Sequence, residues 1–314
     1  MLEKETSQSF KDATFGHQPV MAQESFAALG VRPNGLYVDC TLGGGGHSRL
    51  ILRHLGENGR LLALDLDPAA IEAAKTWGAH DPRLILRKAD FRDLTELLAE
   101  TGLGQVDGIL VDLGVNSGQL LSSARGFSFQ GDGPLDMRFD PERGQTAADI
   151  LNSYGEKALA DLFYRYGEER GARRLARAIV ETRAKVPFSR TGELVALANK
   201  ILGHKTRQRR INPATRVFLA LRSEVNDEPG ALARLLNAAW DNLKLGGRLV
   251  IISFHSMEDR EVKNLFRKGP KDVPALWQGL WKKPHYPSEK ELALNPRSRS
   301  ARMRAGVKLK GSLT

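Results

Sequence analysis

The sequence predicts an α/β protein in which a doubly wound, mostly parallel sheet is interrupted by a mostly helical insertion. Between residues 35 and 114, four short apolar segments alternate with three helical patterns. No strand pattern follows until about residue 212, where the alternation resumes with a helix and a fifth strand. This alternation is typical of a parallel sheet that helices cover on both faces. We therefore expect residues 1–118 and 213–314 to form the core domain and residues 119–212 to form the insertion.

The first repeat begins after a polar tail at residues 1–16. The segment "PVMAQESFAALGV" has helical apolar spacing and ends at a Pro-Asn-Gly turn. "GLYVDC" then predicts a short buried strand, and "HSRLILRHLG" predicts a helix that stops at Gly56. A first strand that leads through glycines into a helix is the place where many α/β sheets bind a ligand.

The later repeats follow the same order. "RLLALDLD" predicts the second strand, and "PAAIEAAKTWG" predicts a helix with Pro68 in its first turn. "RLILRKADF" and "VDGILVDLG" predict strands three and four, with the helix "RDLTELLAETG" between them. After the insertion, "GALARLLNAAWDNLKLGGRLVIISFHS" predicts a helix, a Gly-Gly stop and a fifth strand. "NPRSRSARMRAGVKLK" is expected to supply a final edge strand.

The net charge of the chain indicates the kind of binding partner, and its cysteine content indicates the cellular compartment. The 314 residues carry a net charge of +10 with a pI near 9.8, which favours a polyanionic partner. A single cysteine, Cys40, excludes an internal disulfide framework and a cysteine-cluster zinc site. The chain shows no signal peptide, no apolar run long enough for a membrane span and no His/Asp/Glu set with metal-ligand spacing. We expect a cytoplasmic protein without a metal or a membrane contact.

Four consecutive glycines, Gly43–Gly46, follow the first strand. Such a loop can bind a nucleoside triphosphate, a dinucleotide or the amino-acid end of S-adenosylmethionine. The Lys-Ser or Lys-Thr pair of a triphosphate loop is absent, and Ser48 occupies the third glycine position of a dinucleotide site. The loop therefore favours S-adenosylmethionine over the other two ligands, with a tight turn that binds nothing as the alternative.

The ends of strands two and three supply candidate adenosine contacts. Asp65 lies about 20 residues beyond the glycines, where a carboxylate accepts hydrogen bonds from ribose hydroxyls. NAD and S-adenosylmethionine both contain such a ribose, so Asp65 is compatible with either ligand. Phe91 can pack on an adenine ring or simply in the core. We expect Asp67 and Asp90 to cap the helices that follow, although Asp90 can also accept from the adenine amino group.

The ends of strands four and five supply candidates for the reacting centre. Asp112 can accept the hydrogens of a reacting amine, or it can only order the loop beyond it. The Pro-Pro-aromatic signature of amino-methyltransferases that act on DNA is absent after Asp112. His255, in "SFHS", is a candidate proton acceptor or phosphate ligand, with a purely structural histidine as the alternative.

The predicted insertion carries much of the positive charge. Between Arg165 and Arg210 there are 13 Arg and Lys residues against four Glu residues. The segment "HKTRQRR" alone is dense enough to neutralise several phosphates, and the stretch "NPRSRSARMRAGVKLK" is a second basic region. A basic insertion next to a cofactor site predicts a nucleic-acid substrate.

Sequence blocks along nearly the whole chain resemble the bacterial ribosomal RNA small-subunit methyltransferase H family, also called MraW. The blocks are "GGGGHSRLIL", "DGILVDLGV", "RGFSFQGDGPLDMRFD", "YGEERGARRLARAIV", "NPATRVF", "GGRLVIISFHSMEDR" and "NPRSRSARMR". The resemblance implies a Rossmann-like, S-adenosylmethionine-dependent class I methyltransferase domain with an inserted helical domain. It implies methylation of the N4 amine of a cytidine in the decoding region of 16S rRNA, either free or within the small ribosomal subunit.

Carried over by position, the resemblance implies a set of cofactor contacts. They are Gly45, Gly46, His47, Asp65, Phe91, Asp112 and Gln119. His47 and Gln119 are implied by the resemblance alone. The resemblance also favours cofactor binding over proton transfer as the role of Asp112. Asp112 and His255 remain the catalytic candidates, and both a monomer and a homodimer are open.

Two segments depart from the family pattern. "VNSGQL" replaces the more usual Val-Ser-Ser-Pro-Gln-Leu beside the cleft, and it is expected to affect the placement of the substrate loop. "FLALRSEVN" replaces a stretch closer to Phe-Gln-Ala-Leu-Arg-Ile and is expected to alter packing instead. Two other functions stay open: a NAD-linked oxidoreductase on the same sheet, and a ribosome assembly factor that keeps the pocket without turnover.

Overall fold

A computed structural model describes residues 19–203, 212–268 and 277–309. His17 and the "HKTRQRR" segment lie outside the described residues. The chain divides into two compact units, one formed by residues up to Gly114 and from Ala231 onward, the other by Val115–Gly230. No helix of the described ranges is both long and apolar enough to cross a membrane.

The first unit is built on one seven-stranded sheet of order β3-β2-β1-β4-β5-β7-β6. Its strands are β1 (Leu36–Asp39), β2 (Arg60–Asp65), β3 (Leu84–Lys88), β4 (Val106–Asp112), β5 (Leu243–Ser253), β6 (Trp277–Gly279) and β7 (Arg302–Lys308). The first five strands are parallel, whereas β7 runs antiparallel to both β5 and β6. The predicted doubly wound sheet is therefore confirmed. Its strand order reverses between β1 and β4, the position at which such sheets bind ligands.

The helices that the sequence predicts around the first three strands are present as α1 (Ala22–Leu29), α2 (Gly46–His54), α3 (Pro68–Gly78) and α4 (Leu94–Glu100). Beyond β5 the unit also contains α12 (Ser256–Lys268) and the short α13 (Glu289–Leu294), which the sequence analysis did not predict. The helix α11 (Glu228–Asn242) leads into β5. Neighbouring residues of one strand enter different apolar clusters, as Val38 and Tyr37 do on β1. Because both faces are buried, these strands are continuously apolar in sequence.

Two local expectations were wrong. The C-terminal strand is not the edge of the sheet, because the three-residue β6 pairs with its outer side, and "NPRSRS" forms a 3₁₀ turn before it. The Gly-Gly pair does not separate α11 from β5 but lies inside β5, where the register with β4 shifts. Gly246 has a φ of 76°, which a residue with a side chain rarely adopts, so the glycines permit an irregular strand.

The second unit is helical, with a separate core. It contains α5 (Ser117–Leu121), α6 (Ala147–Ser153), α7 (Glu156–Arg165), α8 (Ala172–Arg183), α9 (Thr191–Leu202) and α10 (Pro213–Val225). Phe163, Leu175, Leu194 and Val217 are fully buried where four of these helices meet. The sequence analysis places the boundaries at 118/119 and 212/213, whereas by contacts α10 joins this unit, because it packs on α7 and α9.

Ser223 provides a stability prediction for this unit. It lies on α10 within the departing "FLALRSEVN" segment, is 1% exposed, and its Oγ has no hydrogen-bond partner among the described residues. Because a buried hydroxyl without a partner costs about 1–3 kcal/mol, we expect Ser223→Ala to raise the melting temperature by a few degrees. Ser25→Ala is the control, since Ser25 Oγ is buried but donates to Met21 O at 2.7 Å, and its loss should lower the melting temperature. Equal destabilisation of both variants in differential scanning fluorimetry would contradict this account.

Candidate active site

The glycine loop joins β1 to α2 at the carboxyl edge of the sheet. Gly45 has a φ of 76°, and a Cβ there would lie 2.5 Å from the Trp77 ring. A Cβ on Gly46 would meet Pro19 at 2.7 Å, whereas one on Gly44 would meet nothing within 4 Å. Gly45 and Gly46 are therefore required by packing and backbone conformation, while the open side of Gly44 leaves room for a ligand against the main chain.

Asp65, at the end of β2, fixes this loop. Its Oδ2 accepts from the Gly43 amide at 2.8 Å, and its Oδ1 accepts from the Asp67 amide at 2.8 Å. Burial raises the pKa of Asp65 to about 6, although these two amides favour the ionised form. A carboxylate oxygen can accept more than one hydrogen bond, so both oxygens can still receive ribose hydroxyls.

Asp39, which the sequence analysis did not single out, lies fully buried at the end of β1. It accepts from Ser48 Oγ at 2.6 Å and from the Thr41 amide at 3.1 Å. Burial raises the pKa of Asp39, while nearby His47 and the two hydrogen bonds oppose the rise. Ser48, the residue at the third glycine position of a dinucleotide site, thus has a defined structural partner.

His47 and Asp112 form the centre of the site. His47 is 6% exposed, and its Nε2 lies 3.6 Å from Asp112 Oδ2, an ion-pair distance too long for a hydrogen bond. Burial opposes the protonated imidazole, but the carboxylates of Asp112, Asp39 and Glu291 outweigh it and raise the pKa of His47. His47 Nε2 and Asp112 Oδ1 are both buried without a hydrogen-bond partner in the described chain. Buried polar atoms are seldom left unpaired, so this pair indicates a missing ligand.

Glu291 of α13 is a second residue that the sequence analysis missed. Its Oε1 accepts from the Met21 amide at 2.8 Å, which ties the C-terminal segment to the start of α1. Burial and the neighbouring carboxylates of Glu24 and Asp112 raise the pKa of Glu291, while His47 lowers it. Residues near both ends of the chain therefore surround His47.

The residues that follow β2 and β3 have clear local roles. Asp67 and Asp90 cap their helical turns by accepting from Ala69 N at 3.0 Å and Arg92 N at 2.9 Å, as predicted. Phe91 begins the 3₁₀ turn after β3 and packs, partly buried, against one core cluster of the sheet. A contact of Phe91 with adenine stays a prediction.

His255 lies directly before α12. Its Nε2 is 2.8 Å from Glu258 Oε1 without hydrogen-bond alignment, and its Nδ1 is 3.5 Å from the Glu258 amide. Glu258 Oε2 also accepts from the Phe254 amide at 2.9 Å. Both ring nitrogens thus face Glu258, and accepting a proton from a substrate would require another rotamer of His255.

Gln119 belongs to the second unit, in the "VNSGQL" departure. Its backbone amide donates to Asn116 Oδ1 at 2.9 Å, and its Oε1 accepts from the Asn116 amide at 3.0 Å. The two residues form a capping box at the start of α5, and Gln119 is 4% exposed. Asn116 therefore serves as a cap in place of the more usual serine.

The fold and this donor set define the class of the protein. A sheet of this order, with a glycine loop after β1 and an acidic residue after β2, is that of the Rossmann-like class I methyltransferases, which use S-adenosylmethionine. The residues fit that cofactor. The carboxylate of Asp65 suits its ribose, the carboxylate of Asp112 suits its positively charged groups, and Asp112 Oδ1 is an acceptor without a partner among the described residues.

Comparison with known proteins assigns the family: the chain belongs to the MraW methylase family, whose model matches residues 14–309. A relative from Syntrophobacter fumaroxidans, named ribosomal RNA small subunit methyltransferase H, is 49% identical over 92% of this chain and 95% of its own length. One of the same name from Carboxydothermus hydrogenoformans is 47% identical over 94% and 98%. A solved rRNA methylase from Streptococcus thermophilus aligns over 92% of this chain and 95% of its own at 11% identity and a TM-score of 0.43. The assignment rests on the sequence matches.

Proposed function

We propose that this protein transfers a methyl group from S-adenosylmethionine to the N4 amine of a cytidine in the decoding region of 16S rRNA. The unpartnered Asp112 Oδ1 beside His47, at the point where the strand order reverses, carries the cofactor part of this proposal. The family and the names of its relatives support rRNA as the substrate. An rRNA substrate also favours the cytoplasm as the location.

The chain's own groups account for binding of the donor. Asp65 receives the ribose hydroxyls, the main chain around Gly44 approaches the amino-acid end, and Asp112 with His47 faces its charged groups. Phe91 and Gln119 complete the set that the family resemblance implies. When bound, S-adenosylmethionine supplies an electrophilic methyl group on a sulfonium sulfur.

The acceptor must be an unpaired cytidine, because a paired N4 amine cannot reach the donor. The protein has to hold that amine in line with the sulfur–methyl bond and exclude water. His255 is proposed to take the amine proton after a change of rotamer, with Asp112 as the alternative acceptor. A homodimer, like a monomer, stays open.

The helices α7 and α8 of the second unit offer a surface for the RNA backbone. Arg173, Arg174 and Arg177 are exposed on α8, and the exposed side chain of Tyr164 lies on α7. Within the described ranges, Arg177 has a carboxylate neighbour, Glu156 Oε1 at 3.7 Å, whereas Arg173 and Arg174 make no ion pair. Exposed arginines with an aromatic residue favour a nucleic-acid partner.

The proposal is tested by methyl transfer from labelled S-adenosylmethionine. We expect label in N4-methylcytidine when purified protein is incubated with small-subunit rRNA or small ribosomal subunits, assayed in parallel, because the family resemblance and the acidic site agree on this reaction. Nuclease digestion and mass spectrometry identify the modified base. DNA of the same sequence is the control. Label only in DNA, only in another base, or in no substrate by a protein that binds the cofactor would contradict the proposal.

A further inference from the structure

A short loop of the first unit is held rigidly against β7. The Leu280 amide donates to Ala305 O at 2.9 Å, and His285 and Met303 exchange two backbone hydrogen bonds of 2.9 Å. Between these anchors the ring of Trp281 stacks on His285, with ring centroids 3.8 Å apart and planes inclined by 24°. Lys282 and Lys283, both exposed, lie between these two anchors.

Positive charge continues along the chain beyond this loop. We call the exposed Lys282, Lys283, Lys290, Arg297 and Arg299 the basic strip. Between Trp281 and Ser300 the sequence contains these five basic residues and two acidic ones, Glu289 and Glu291, of which Glu291 accepts from the Met21 amide. Within the described chain, Lys282, Lys283 and Arg299 make no ion pair, so their charge is not neutralised by the protein.

The basic strip borders the carboxyl edge of the sheet. Met303, to which His285 is bonded, pairs with Ile252 near the end of β5. The 3₁₀ turn Pro296–Ser300 directly precedes β7 at the same edge. Glu291, which lies between the two halves of the strip, is close enough for its charge to act on His47 and Asp112. The strip therefore adjoins the proposed donor site.

Tyr286 adds an aromatic face to the strip. Its side chain is 62% exposed, and it has no hydrogen bond or ring contact with any described residue. An exposed aromatic ring beside unpaired lysines is the combination that binds single-stranded nucleic acid, by stacking on bases while cations contact phosphates.

We propose that the basic strip with Tyr286 binds single-stranded RNA next to the donor site and holds the segment that carries the target base. The inference rests on the proposed function, because it takes RNA as the substrate. A single strand is favoured over a duplex because stacked and paired bases offer no face to Tyr286, and because a target amine must be unpaired. A protein partner is a separate possibility that the experiment below distinguishes.

The first test removes two charges from the strip. We expect Lys282→Ala/Lys283→Ala to weaken binding of a single-stranded rRNA fragment about tenfold and to reduce the salt dependence of log K by about 1.4, which is about 0.7 per phosphate contact. The matched control is Lys263→Ala/Arg267→Ala, since both residues are exposed on α12, which leads away from the carboxyl edge. Fluorescence anisotropy across a salt series measures the affinities. The dissociation constant for S-adenosylmethionine should stay unchanged in both variants.

The second test concerns stacking. We expect Tyr286→Ala to weaken single-strand binding fivefold or more, while Tyr286→Phe, which keeps the ring, restores it. A duplex of the same sequence should show no difference between these variants. Because Tyr286 is mostly exposed, neither substitution should affect folding, which circular dichroism checks.

Both measurements use equilibrium RNA binding, so they remain informative even if methyl transfer to rRNA is absent. The inference is wrong if Lys282→Ala/Lys283→Ala has the same RNA affinity and salt slope as the α12 control. This includes the case in which both double variants lose affinity equally. If the variants bind RNA as the parent protein does but no longer pull down a ribosomal protein of the small subunit, the strip binds a protein instead.

Discussion

Asp65→Asn is expected to weaken binding of S-adenosylmethionine by about 10- to 100-fold, because hydrogen bonds to a charged acceptor contribute about 1.5–3 kcal/mol. The asparagine keeps one carbonyl oxygen but replaces the other acceptor by an amino group. In the structure each Asp65 oxygen accepts from a backbone amide, Oδ2 from Gly43 and Oδ1 from Asp67, so the amino group replaces an acceptor that is in use. The variant thus loses ribose contacts and also loosens the glycine loop.

Isothermal titration calorimetry measures this loss, and Asp67→Asn is the matched control. It removes the same charge two residues away, at a position where asparagine caps a helix as well as aspartate does. Its cofactor affinity should remain within about threefold of the parent protein. If both variants bind equally well, Asp65 does not hold the ribose. Binding to small ribosomal subunits should survive Asp65→Asn while methyl transfer falls, which separates turnover from subunit binding.

The pH dependence of binding follows from the raised pKa of Asp65. With a folded-state pKa of about 6 against an ordinary value of 3.8, the folded protein holds this proton more tightly than the unfolded chain. Ionisation of the buried group therefore costs stability above about pH 6, and that cost disappears as the pH falls toward 3.8. The ionised carboxylate accepts stronger hydrogen bonds from ribose hydroxyls than the protonated one, so cofactor affinity should decline below about pH 6. Asp65→Asn should show no such decline.

The sheet could be predicted from the sequence because its local signals agree. Each parallel strand is a short apolar run bounded by Gly, Pro or Asp, and each cap, such as Asp67 before Pro68, is encoded within three residues. Asp65 could be found because its distance from the glycines is nearly fixed by one strand-helix-strand unit.

Other features could not be predicted, since they depend on contacts between distant residues. Glu291 accepts from an amide 270 residues earlier in the chain, and no local pattern marks that pairing. In the sequence, nothing distinguishes Asp39 from other residues at strand ends. The fold places Ser48 of α2 beside it. The three residues of β6 are too few to show a period of two, so the sequence does not predict the strand that lies outside β7.

The His47–Asp112 pair leads to the second large effect. Asp112→Asn is expected to reduce kcat/KM for methyl transfer by about 10- to 100-fold, because Asp112 is proposed to bind the cofactor and a hydrogen bond to a charged acceptor contributes about 1.5–3 kcal/mol. The pKa of His47 should fall, since burial then acts with less opposition from the remaining carboxylates of Asp39 and Glu291. A proton NMR titration of the imidazole measures that change.

The pH dependence of the stability change distinguishes loss of the His47–Asp112 ion pair from a general disruption of packing. A raised histidine pKa contributes stability that is fully present below about pH 6.5 and is lost as the pH rises through the folded-state value. Asp112→Asn should therefore lower the melting temperature mainly at acidic pH and have little effect where His47 is neutral. A uniform decrease at all pH values would indicate that Asp112 acts only in packing.

A double-mutant cycle with His47→Gln tests whether the two residues act as a unit. If Asp112 works through the protonated imidazole, the double variant should lose scarcely more kcat/KM than Asp112→Asn alone, as expected for residues in one network. Fully additive losses would mean that each residue contacts the cofactor independently. In that case His47 Nε2 and Asp112 Oδ1, which are buried without a hydrogen-bond partner among the described residues, would each bind a different atom of the donor.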